Sequence, residues 1–115
     1  MTTRLEKIFA GVDTHADTHH AAVIDSNGKH LGDAQFPTTP AGYAALAAFL
    51  TAFGMAVRVG VEGTGSYGAG LARHLGAAGF VVVEVLRPNR QLRRTRGKSD
   101  PLDAYAAART ALAQD

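Results

Sequence analysis

The sequence contains no cysteine, which excludes a disulfide framework and a thiolate metal site. It has no apolar run approaching the length of a membrane span, and its N-terminus lacks the apolar core of a signal peptide. A cytoplasmic protein with no membrane partner is the expectation. Internal repeats, low-complexity tracts and boundary-like composition shifts are also missing, so the 115 residues read as a single domain. The hydrophobic fraction of 46% and charged fraction of 19% are those of an ordinary globular chain. The last scarcity is local. Residues 87–98 (RPNRQLRRTRGK) hold no acid and six of the twelve basic residues. Residues 1–86 carry five basic against seven acidic side chains, and residues 99–115 one against three. Such a concentration is a footprint for a polyanion, although blocks of like charge also occur as solvated loops. Arg87, Arg90, Arg93, Arg94, Arg96 and Lys98 are therefore candidate nucleic-acid contacts.

What is present is organised around residues 8–19, IFAGVDTHADTH. A short apolar run here predicts a strand over 7–13, buried on both faces, that stops on Asp13. A charge at the end of a buried strand needs a cation or a donor network to offset its desolvation. Residues 56–62 (AVRVGVE) repeat the pattern and stop on Glu62.

Between these strands, HAAVID predicts a second strand over 20–25, followed by an Asn-Gly hairpin turn and a weaker third strand over 30–36. Thr39-Pro40 starts a helix over 40–53, with Tyr43, Leu46, Ala47 and Leu50 on one face and Gly54 at its end. After the strand over 56–62 come the turn GTGSYG, with Ser66 as the expected helix cap, and a helix over 67–78. FVVVEV predicts a strand over 80–85, strongly β-branched and so expected to be central or well covered. Ser99-Asp100-Pro101 opens a last helix to about residue 113. The order β-β-β-α-β-α-β-α, an antiparallel meander followed by alternating elements, predicts an α/β mixed sheet flanked by helices with ribonuclease-H-like (RuvC-like) topology.

Four acids, Asp13, Glu62, Asp100 and Asp103, stand where this topology can bring them together. Two end strands that the topology can place side by side, and two lie three apart on one face of a helix start. Gly11 and Gly60 precede the strand acids by two residues, hence on the same face, which leaves room for the Ala-rich last helix to approach. Converging carboxylates suit Mg²⁺ or Mn²⁺, and a pair of such ions clamps the attacking and leaving oxygens of phosphoryl transfer. The plain alternative is that Asp100 and Asp103 serve as N-cap and capping-box residue.

GVDTHADTH, VEGTGSYG and RGKSDPLDA resemble the three signature blocks of the DEDD transposases, insertion-sequence enzymes with a RuvC-like N-terminal domain. By matching position the resemblance assigns the family's four acids to Asp13, Glu62, Asp100 and Asp103. It implies Mg²⁺-dependent DNA strand cleavage and exchange guided by a structured RNA, and a homo-oligomer in the full-length protein. It also implies a C-terminal domain bearing a serine nucleophile, which these 115 residues do not include. A non-catalytic nucleic-acid-binding remnant of the same fold is the alternative.

Other signals are weaker. GTGSYG with Glu84 beyond it imitates a dinucleotide fingerprint, but Glu62 would place a carboxylate beside the pyrophosphate. His15, His19, His20 and Asp17 suggest zinc only loosely, and are expected to be exposed polar residues, with His15 a potential donor to the site. Ser66 has no identifiable general base beside it, which argues against a nucleophile.

Overall fold

The hairpin at residues 25–30 shows how local chemistry sets the chain's course. The Asp25 carboxylate accepts the N–H groups of Asn27 and Lys29 at 2.8 and 2.9 Å, and Gly28 takes the left-handed conformation at φ 88°. In the computed structural model, which describes residues 6–86 and 100–114, this turn joins two strands of a five-stranded sheet. The elements run β1 (Lys7–Thr14), β2 (Thr18–Asp25), β3 (His30–Pro37), α1 (Pro40–Thr51), β4 (Met55–Glu62), α2 (Ala69–Ala77), β5 (Val82–Val85) and α3 (Pro101–Ala113). The basic stretch, with Arg87, Arg90, Arg93, Arg94, Arg96 and Lys98, lies outside the described residues.

The sheet order is β3-β2-β1-β4-β5. β1 pairs antiparallel with β2 and parallel with β4, β2 pairs antiparallel with β3, and β4 pairs parallel with β5. This is the expected α/β, ribonuclease-H-like arrangement, with the meander on one side of β1 and the crossover strands on the other. β5 departs from expectation, because it is an edge strand of four residues, with Val81 beside it 56% exposed. Its β-branched content marks it as a strand but does not set its rank in the sheet. β1 takes the centre and is buried from Ile8 to Thr14.

Two layers cover the sheet. On one face Leu46 and Leu50 of α1 and Leu71 and Leu75 of α2 pack on Ile8, Ala10, Val12, Val59 and Val61. On the other, Ala104, Tyr105 and Ala108 of α3 pack on Phe9, Ala22 and Ile24. The second contact is close because Gly11 and Gly60 face it. A Cβ on Gly11 would overlap the Ala108 nitrogen and the Ala104 carbonyl, and one on Gly60 would lie 2.7 Å from the Ala107 carbonyl oxygen. The glycines admit the helix backbone itself, as their spacing predicts.

Caps fix the helices. Gly42 donates to Thr39 Oγ1 at 3.0 Å with Pro40 opening α1, and Leu102 donates to Asp100 Oδ1 at 2.8 Å with Pro101 opening α3. At the far end of α3, the Arg58 guanidinium donates to the carbonyls of Ala111 at 2.8 Å and Gln114 at 2.6 Å while lying over the Phe9 ring. A cation there complements the negative end of the helix dipole. Among the described residues no helix is long and apolar enough to cross a membrane.

Candidate active site

Asp13 stands one residue before the end of β1, which runs on to the buried Thr14, and its side chain is fully buried. β1 and β4 run parallel with Gly11 opposite Gly60 and Val12 opposite Val61, so the next residues along, Asp13 and Glu62, lie at the same end of neighbouring strands on the α3 face. Thr14 Oγ1 donates to the Glu62 carbonyl at 2.9 Å and ties the two strand ends together.

The third partner is the start of α3. The main-chain N–H of Asp100 donates to Asp13 Oδ2 at 2.6 Å, a bond between residues far apart in sequence. It places the N-terminus of α3, the positive end of its dipole, against the buried carboxylate. Asp103, in the first turn of α3, is 7% exposed, and Glu62 is 6% exposed. Asp100 itself turns its carboxylate to its own helix as the N-cap, so the capping role read from the sequence is real. The four acids thus share one end of the sheet at the level of the backbone. Among the described residues, no group of three or more His, Asp or Glu side chains is arranged to hold a metal ion. The donor set itself, buried carboxylate oxygens, is of the kind hard divalent cations select.

The histidines are not the exposed residues the sequence suggested. His15, His19 and His20 are 8%, 0% and 9% exposed; β2 begins at Thr18, two residues earlier than predicted, and so draws His19 into the sheet beside His20. Strand alternation then sends His19 and His20 to opposite faces. His19 stacks on Tyr43, with ring centroids 5.9 Å apart, and burial holds its pKa below the usual histidine value. His15 Nε2 lies 3.4 Å from Asp13 Oδ2, the donor position anticipated for it.

His20 belongs to a network that sequence reasoning missed. Its Nε2 meets Asp33 Oδ2 at 2.5 Å, Asp33 Oδ1 accepts the Tyr105 hydroxyl at 3.1 Å, and the Tyr105 ring stacks on His30 at 3.7 Å. The His20 hydrogen bond holds the Asp33 carboxyl below the usual carboxylate range. Burial, with Asp33 beside it, pushes the Tyr105 hydroxyl up to about 12. The network ties α3 to the edge strand β3, two residues beyond Asp103. An acid inside the third strand, at Asp33, was the one signal available, and its partners could be found only from the strand register. The network borders the site directly, since His20 is the register partner of Asp13.

Ser66 does not cap α2. Gly68 is its N-cap with no side-chain bond, and the Ser66 hydroxyl donates back to the Gly63 carbonyl at 3.4 Å. The turn needs glycine at Gly63, at φ 64°, and at Gly68, which presses on the Glu62 carbonyl. The glycines that admit α3 are Gly11 and Gly60, not those of this turn.

Strand order, the parallel β1–β4 pair and the closing helix define a protein of the ribonuclease-H-like class. Within that class the chain belongs to the DEDD transposases of the IS110 type, a family described as transposase, which it matches over residues 10–115. No curated protein matches the chain. Membership in the family supports DNA transposition as the general activity, and with it an enzyme of the nuclease and recombinase kind that acts on DNA.

Proposed function

We infer that this chain is the divalent-metal phosphoryl-transfer unit of its transposase, with Asp13, Glu62, Asp100 and Asp103 as the metal-binding and catalytic acids. The observation that carries this reading is the bond from the Asp100 N–H to the buried Asp13 carboxylate. It brings the helix bearing two acids onto the strand ends bearing the other two. Mg²⁺ or Mn²⁺, when bound, stabilises the charge that develops on the attacking and leaving oxygens. The protein's part is to hold the acids in place: Asp13 Oδ2 accepts the Asp100 N–H and lies 3.4 Å from His15 Nε2, and Thr14 ties the Glu62 main chain to β1. Asp100 joins the set by turning from its cap, at a cost of about 1 kcal/mol.

DNA is the substrate of this reading, and a structured guide RNA selects it. Arg87, Arg90, Arg93, Arg94, Arg96 and Lys98 lead in sequence straight to Asp100 and carry the phosphate backbone to the acids. The strand-exchanging serine comes from a second domain of the full enzyme, which works as a homo-oligomer in the cytoplasm.

Metal titration of the purified chain tests the reading, by calorimetry with Mg²⁺ and electron paramagnetic resonance with Mn²⁺. Asp13→Asn and Glu62→Gln should each weaken binding by about tenfold or more, the effect expected on removing a charged ligand. DNA affinity should fall steeply with salt, as phosphate contacts require. Metal and DNA binding unaltered in both variants would make the carboxylates structural and the chain a non-catalytic binding remnant.

A further inference from the structure

The turn over residues 63–68, which follows Glu62 directly, has an outer surface that the fold does not explain. Its inner side is tightly made. The N–H groups of Ser66 and Gly68 both donate to the Gly63 carbonyl at 2.8 Å, and Gly68 is backed against the Glu62 main chain. On the outer side three consecutive residues, Gly65, Ser66 and Tyr67, are exposed. Tyr67 leaves 57% of its surface in solvent although it is a large aromatic residue. Gly65 is not in the left-handed region, and a Cβ built on it meets nothing within 4 Å. Neither packing nor backbone conformation requires glycine there. A missing side chain and an exposed ring, two residues apart on a hydrogen-bonded turn, are what a surface needs for a flat ligand to lie against it.

We propose that residues 65–67 seat an unpaired nucleotide of a single-stranded DNA segment passing the carboxylate end of the sheet. Its base stacks on the Tyr67 ring and its sugar-phosphate backbone runs against Gly65. Stacking suits this position because every base presents a π-face, so a single tyrosine grips a strand without reading its sequence. Glycine suits the neighbouring position because a backbone without Cβ lets the strand approach closely. The hydrogen bonds to the Gly63 carbonyl, and Gly68 packed against the Glu62 main chain, keep this surface next to Glu62. The proposal rests on the reading that a DNA strand reaches these carboxylates, so its experiment is run without divalent metal and the two can fail separately.

The full chain is titrated, in EDTA, against a fluorescently labelled single-stranded oligonucleotide by anisotropy. Tyr67→Ala should weaken binding about tenfold, the usual effect of removing one stacking aromatic, and Tyr67→Phe should retain wild-type affinity. Gly65→Val should weaken binding while leaving the unfolding midpoint unchanged. With 5-iododeoxyuridine in the oligonucleotide, light should crosslink the strand to Tyr67. Wild-type affinity in Tyr67→Ala, equal losses in the Phe and Ala variants, or a crosslink to another residue would each overturn the proposal. So would a wild-type chain that binds no single strand. Loss of metal binding in the Asp13 and Glu62 variants bears on the carboxylates alone.

Discussion

His19 shows how a single buried side chain contributes to the pH response of this fold. It is fully buried on β2 against Tyr43, and burial lowers its pKa, so the folded chain binds a proton there less readily than the unfolded chain does. Stability contributed by neutral His19 is complete above the ordinary histidine value of about 6.5 and declines as pH falls below it. Asp33 acts in a separate window. Its pKa is lowered by the bond to His20, so its contribution is present above the usual carboxylate value of about 3.9 and is lost in stronger acid. In a thermal-unfolding series from pH 7.5 down into strong acid, His19→Gln should flatten the decline of the midpoint below pH 7 and leave the further loss in stronger acid in place. An undiminished decline between pH 7 and 5.5 would assign the effect to other groups.

At the scale of elements, α3 and the two glycines beneath it decide where the acids stand. Gly11→Ala would drive a methyl group into the α3 backbone at Ala104 and Ala108, which no rotamer change relieves. Overpacking of this kind costs about 1–3 kcal/mol, so chemical denaturation should show a midpoint well below wild type. Gly65→Ala serves as the control and should stay within about 0.5 kcal/mol of wild type, as open surface positions do. A neutral Gly11→Ala would mean that α3 shifts without cost.

Much of this arrangement was legible in the sequence. The order of elements, the caps at Thr39 and Asp100, and the use of Gly11 and Gly60 all follow from local chemistry or from a period of two along a strand. What was not legible depended on partners distant in the chain. The rank of β5 in the sheet, the burial of His19, and the chain from His20 through Asp33 to Tyr105 are matters of how the strands pair and α3 docks. Register emerges only once β2, β3 and α3 have docked. Ser66 misled for the opposite reason: its residue type suits a cap, but the tight turn at Gly63 directs its hydroxyl backward.

For the whole molecule, the distance along the chain between Gly11 and its cover at Ala104 and Ala108 separates two events in time. The meander closes through short connections, whereas α3 reaches β1 only after a loop of most of the domain has closed, and the entropy of long loops delays such contacts. Ala108→Gly should therefore speed unfolding and leave the refolding rate nearly unchanged, while Val23→Ala, in the meander, should slow refolding. Stopped-flow denaturant jumps distinguish the two, and a slowed refolding in Ala108→Gly would refute the order. On this order the sheet is complete before Asp13 receives the Asp100 N–H. On the same order, an opening of α3 alone would part Asp13 from Asp100, the two residues that the last docking event joins.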